Sequence, residues 1–299
     1  MSRDCLKKLK VKLLGRGTVF EIIDMKIFRR IVYGILIAFF LSIGFSSIFP
    51  GRVKIVDKIR LFAQRPIIKL LGKIRMDDLP MSESPLADSD IDIDFDELRP
   101  YLENLPPGSI FLTRTRNYAI SEFIPGMWKH AGIFLGTKKQ LAEKFGKRSN
   151  LYKSLDTLMT GNEVYILDSE ADGVRVHQFR NMSNMNEESY LTNFVLLSMS
   201  APTEVIETFI MEALKFQGRD YDYDWLTEDD SSIYCSELLY HSLKSIGMEI
   251  KKRSTTLSRV VITPDDLFNY LIENTGKREE FVLELNISKE NGKLTHARP

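Results

Sequence analysis

The chain has 299 residues, 43% of them hydrophobic and 27% charged, enough for one sizeable core with appendages. Its formal net charge is zero, but residues 1–75 carry 17 Lys/Arg against 4 Asp/Glu, whereas residues 76–299 carry 24 against 37. A basic arm beside an apolar run suits anionic lipid headgroups, and an acidic globular part argues against nucleic acid as a partner. The only cysteines, Cys5 and Cys235, flank that apolar run. No intrachain disulfide or zinc cluster is therefore expected, and Cys235 is left as a free thiol.

In chain order, residues 1–30 form a basic N-terminal segment. The run from Ile31 to Phe49 contains no charged residue, and as a helix rising about 1.5 Å per residue it would cover about 30 Å, the thickness of a bilayer core. The ~30 residues before it and the lack of a small-residue cleavage site after it predict a retained single-pass anchor rather than a cleaved signal. Bases flank the run on both sides, Lys26, Arg29 and Arg30 before it and Arg52 and Lys54 after it, as at the interfaces of a membrane span. Their near balance leaves the orientation open. Residues 50–75 mix bases with Ile55, Val56, Ile59, Phe62, Ile67, Leu70 and Leu71 around Pro66; this fits a helix lying on the membrane surface as well as one packed on a domain. Residues 76–98 hold nine acids and no base, and predict a solvated acidic linker. Asp88, Asp90 and Asp92 do not make a calcium loop, because the turn glycine and the terminal glutamate are missing.

From residue 99 to 299 the pattern is that of a mixed α+β domain. Strands are predicted over 109–114, 130–136, 164–168, 174–179, 193–198 and 280–285. Helices are predicted over 138–159 with a break at 146–150, over 202–216, over 235–246 and from Thr263 through Leu271. The last opens on Thr263-Pro264-Asp265-Asp266, an N-cap followed by proline at the first helical position.

A cysteine nucleophile needs a thiolate, which a helix N-terminus and a neighbouring imidazole both favour. Cys235 opens an apolar-periodic segment after a polar stretch, where unpaired backbone amides point outward and could also hold an oxyanion. Of the four histidines, His241 lies about 240° around the same helix, His296 falls in a polar C-terminal stretch, and His177 alternates away from Val174 and Val176, as a sheet-surface residue would. His130 starts a strand whose Ala131 and Gly132 leave room for another group to approach.

Five blocks stand in order: Pro107 to Thr115 (PGSIFLTRT), His130 to Gly136 (HAGIFLG), Gly218 to Asp222 (GRDYD), Tyr234 to Leu239 (YCSELL) and Ile262 to Leu267 (ITPDDL). Together they resemble the YiiX/YaeF group of permuted NlpC-type papain-like amidases, over roughly residues 105–271. The resemblance implies a circularly permuted papain-like fold, an antiparallel sheet packed against helices, with the histidine strand preceding the cysteine helix. It implies Cys235 as nucleophile, His130 as general base and a third polar residue on the strand after the histidine strand. Asp168 is that residue by its distance from Gly173-Val174, with Glu170, two residues on, as the alternative. Tyr221 and Asp222 match a block that implies substrate binding. The expected activity is a thiol hydrolase (a thiol protease or amidase) on peptides or acyl-amides. A lipid acyltransferase or phospholipase on the same site, or a membrane-tethered binding protein without turnover, is the alternative. No metal, nucleotide or other cofactor motif is present. The expected partners are a lipid bilayer through residues 31–49 and the substrate, with no nucleic acid; the resemblance favours an extracytoplasmic domain.

Overall fold

The computed structural model describes residues 90–116, 124–184, 189–223, 232–256, 259–276 and 280–297, together with part of 30–62. The chain divides into two compact units, residues 1–65 and 66–299.

In the first unit, the described residues between 30 and 48 and between 55 and 62 are helical. Ser46 donates to the Asp57 carboxylate, and Arg60 Nε donates to Ser46 Oγ at 2.8 Å, so a buried polar contact ties the two stretches together. Tyr33, Ile37, Phe40, Leu41 and Ile48 are more than 60% exposed. Among the described residues no helix is long and apolar enough to cross a membrane, and several residues of the expected 31–49 span lie outside the described set.

The second unit is built on a seven-stranded antiparallel sheet flanked by helices. In chain order its elements are α1 (Phe95–Leu102), β1 (Ser109–Thr115), β2 (His130–Gly136), α2 (Lys138–Phe145), α3 (Asn150–Leu155), β3 (Tyr165–Glu170), β4 (Gly173–Gln178) and a 3-10 turn (Phe179–Asn184). There follow β5 (Leu191–Met199), α4 (Thr203–Leu214), α5 (Cys235–Ser245), β6 (Ser254–Thr256), β7 (Arg259–Val261), α6 (Pro264–Gly276), β8 (Phe281–Glu290) and β9 (Lys293–Ala297). The strand order is β4-β3-β2-β1-β5-β8-β9, and β6 and β7 form a separate hairpin. Strands β2, β1 and β5 sit in the middle and are apolar on both faces. This explains why HAGIFLG and SIFLTRT read as continuous runs rather than as alternations. On one face Ile110, Leu112, Ala131, Ile133, Leu167, Val195 and Leu197 pack with Phe209 and Ile210 of α4, Leu238, Leu239 and Leu243 of α5, and Leu267 and Leu271 of α6. On the other, Phe111, Phe134, Ile166, Phe194 and Leu196 pack with Ile93, Leu98, Leu102 and Phe179.

The folded unit begins earlier than residue 99. Residues 76–89 of the expected linker lie outside the described residues, but Ile93, Leu98 and Leu102 are fully buried and α1 starts at Phe95. The acids that make this stretch look like a tether are used locally. Glu97 accepts from the Asp94 backbone N–H at 3.0 Å, Asp92 is ion-paired with Arg116, and Lys289 bonds Glu97 at 2.8 Å. His296, read as part of a polar tail, lies in β9 opposite Ile287.

Candidate active site

Cys235 is the first residue of α5, and its neighbours hold it in place. Tyr234 Oη accepts from the Ile262 backbone N–H at 3.2 Å, and Ser236 Oγ donates to the Ile262 carbonyl at 2.8 Å, so the residues on either side of the cysteine clasp one residue, Ile262. One residue further back, the Ile233 carbonyl accepts from Ser169 Oγ on β3 at 2.7 Å. The thiol is free and buried at the positive end of the α5 dipole. Glu237, in the first turn, accepts from the Tyr234 backbone N–H at 3.4 Å, an N-terminal cap.

Ile262 is itself fixed by the start of α6. Thr263 Oγ1 accepts from the Asp266 backbone N–H while Asp266 Oδ2 accepts from that of Thr263, both at 3.0 Å. Asp266 also accepts from the Ser254 backbone N–H at 3.0 Å, which ties in the β6–β7 hairpin. Asp265 reaches the segment that leads into β2: its carboxylate accepts from the backbone N–H groups of Met127 (3.0 Å) and Trp128 (2.7 Å). Gly126 makes this possible. Its φ is +96°, and a Cβ there would overlap the Asp265 carboxylate. The Thr-Pro-Asp-Asp sequence thus braces both the cysteine helix and the approach to His130, a role that a helix-start signal alone does not reveal.

His130 begins β2. Its Nε2 lies 2.8 Å from Asp168 Oδ2, and Cys235 is near enough to act on the same ring. Asp168 stands on β3 opposite Gly132. A Cβ at Gly132 would come within 2.6 Å of the Phe111 ring and 2.8 Å of Asp168 Cβ. The missing side chain is therefore what lets the carboxylate sink to full burial beside the histidine. Gly132→Ala is expected to cost about 1–3 kcal/mol of stability and to displace Asp168, which paired thermal melts and activity assays on the two proteins would check.

The other Asp168 oxygen is also occupied. His177 Nε2, on β4, lies 2.8 Å from Asp168 Oδ1. The expectation of a sheet-surface histidine is corrected here. His177 does alternate away from Val174 and Val176, but the face it joins carries Asp168, and the ring is enclosed with a 9% exposed side chain. Glu170 takes a different partner, Arg175 at 3.2 Å. Ligand atoms of His130, Asp168 and Glu170 lie within 4.8 Å of one another, a spacing a metal ion could use. In the structure both Asp168 oxygens and Nε2 of His130 are engaged in hydrogen bonds and Glu170 pairs with Arg175.

The electrostatics follow from this geometry. Burial would push the His130 imidazole down, but the hydrogen bonds and charges of Asp168 and Cys235 overrule it and hold it well above its ordinary 6.5. Burial likewise opposes ionisation of Asp168, and the two imidazoles outweigh it and pull the carboxyl well below the usual range. His177, too, is raised above 6.5 by Asp168 against the effect of burial.

Beside Cys235 a small open-mouthed pocket is lined by Ile124, Pro125, Tyr221, Tyr234, Ser236, Val261, Ile262, Thr263 and Pro264. Tyr221 comes from a strap fixed to the β3–β4 turn: the Val174 backbone N–H donates to the Arg219 carbonyl at 2.9 Å, and Tyr223 Oη to that of Ala171 at 3.1 Å. Asp222, the other residue of that block, is buried and does not line the pocket. Its charge, after burial and Glu237, adds to what raises the Tyr234 phenol.

The sequence pattern of a family described as permuted papain-like amidase enzymes (YaeF/YiiX, C92) matches residues 104–285. A solved structure of the metalloprotein yiiX from Escherichia coli O157:H7 aligns with a TM-score of 0.36 at 16% identity, covering 64% of this chain and 98% of that one. No curated protein matches the chain.

Proposed function

Because the chain belongs to the permuted papain-like amidases of the C92 family, we propose that it hydrolyses amide bonds through an acyl-enzyme on Cys235. The observation that carries this reading is the convergence of Cys235, His130 and Asp168 beside the pocket. The Cys235 thiolate attacks the carbonyl carbon, and first-turn amides of α5 stabilise the oxyanion. His130, as imidazolium, gives its proton to the departing amine; as a neutral base it then takes one from the water that releases the acid. Asp168 keeps Nδ1 of the ring directed at sulfur.

The pocket's lining bears on the substrate. It contains no charged side chain among the described residues, so the acyl part is uncharged and apolar, and an acidic or basic group there would lose its hydration without a partner. A panel of p-nitroanilides on the full-length protein tests this. Apolar acyl groups should be cleaved at least about tenfold faster in kcat/KM than acyl groups of similar size carrying a carboxylate. A preference for the charged series would contradict it.

A second reading, a lipid acyl ester as substrate, is favoured by the exposed Tyr33, Ile37, Phe40, Leu41 and Ile48 of the first unit. These side chains also support residues 31–49 as a membrane anchor for the hydrolase unit. Deletion of residues 1–76 is expected to leave a protein that stays soluble without detergent and unfolds cooperatively on heating. Aggregation with no cooperative transition would contradict the division into anchor and enzyme.

A further inference from the structure

We infer that His177 is a positioning residue of this site, holding the second oxygen of Asp168 and so setting how much of that carboxylate's charge reaches His130. The inference rests on reading Cys235 and His130 as the reactive pair. Asp168 is fully buried between two imidazoles, at 2.8 Å from each. Its cross-strand partner on β4 is Arg175, and His177 stands opposite Ile166 two residues along. Arg175 is turned toward Glu170 (3.2 Å) and Asp172 (3.5 Å), so Asp168 Oδ1 goes to the histidine and not to the guanidinium.

Nδ1 of His177 is buried with no hydrogen-bond partner among the described residues. An enclosed imidazole with one unpaired nitrogen costs stability, and what the ring provides here is its bond to Asp168. The charged groups that face it are Asp168 and Glu170 from β3 and Arg175 from its own strand. With both oxygens held, the carboxylate cannot rotate, and the ring plane of His130 is fixed with it. Two donors also divide one negative charge. Without His177 the whole charge would fall on His130, and the imidazolium would persist to higher pH.

The test is the rate of iodoacetamide alkylation of Cys235 against pH in the full-length protein, followed by peptide mass so that Cys5 is counted separately. The wild type should give an acid and an alkaline limb that both depend on His130. In His177→Ala the limb set by His130 should move to higher pH, by about half a unit or more. In His177→Gln, which keeps a neutral donor, the shift should run the same way and be smaller. His241→Ala, outside the cluster, should leave the profile in place. Limbs unmoved in folded His177→Ala, or in His177→Gln if the alanine variant does not fold, would overturn the inference while leaving the reactive pair intact. A wild-type profile that is that of a free thiol and indifferent to His130→Ala would overturn both.

Discussion

Cys235→Ala and His130→Ala are each expected to lower turnover by at least about 10³-fold, and the double variant to be scarcely worse than either alone. The reason is mechanical. In the proposed mechanism no acyl-enzyme forms without the sulfur, and without the imidazole the thiol proton has no acceptor and the leaving amine no donor. Whichever member is removed first therefore takes the covalent route with it. Residual activity in each should be similar, since the α5 amides and the pocket remain. Folding is not at risk at Cys235, where alanine removes one sulfur from a helix start. His130 contacts the Phe111 ring (centroids 6.1 Å apart), so thermal melts should accompany its kinetics. Additive losses in the double variant would mean that the two residues act separately.

Asp168→Asn is expected to be nearly as damaging to activity, about 10³-fold, and far more damaging to the fold. An amide is isosteric with the carboxylate but cannot accept from two rings or balance an imidazolium. Two buried histidines are then left without a negative partner, at a cost of about 3 kcal/mol or about 10 °C in Tm. The pH dependence has a definite sign. Asp168 is depressed in the fold, so its contribution is present above the unfolded value of 3.8 and is lost as pH falls below it. His130 and His177 are raised, so theirs is complete below 6.5 and is lost as pH rises through their folded values. The Tm difference between wild type and Asp168→Asn should therefore be largest between about pH 4 and 6.5 and shrink on either side. A difference independent of pH would mean that the carboxylate only fills space.

Much of this arrangement was legible in the sequence. The strands over 130–136 and 164–168, the helix opening at Cys235 and the capped start at Thr263 all lie where period and capping chemistry put them. Ala131 and Gly132 announced a close approach, and the structure fills that room with Phe111 and Asp168. Asp168 itself came from matching a family's spacing, not from any local signal. His177 was missed because alternation tells which residues share a face but not what the neighbouring strand presents there. The β3–β4 register that brings it to Asp168 is set by long-range pairing. In α1, nine acids over 76–98 drowned the Ile93, Leu98 and Leu102 pattern. The Asp94–Glu97 capping signature, readable in the sequence, would have located the helix start.

Covalent chemistry at Cys235 can be read directly from the mass of the full-length protein quenched shortly after mixing with an activated apolar acyl ester. One acyl adduct is expected, mapped to the peptide containing Cys235, formed and discharged at rates consistent with turnover. It should be absent in Cys235→Ala and form much more slowly in His130→Ala. Hydrolysis of the same ester by well-folded Cys235→Ala at the wild-type rate, or an adduct mapped to a different residue, would contradict it.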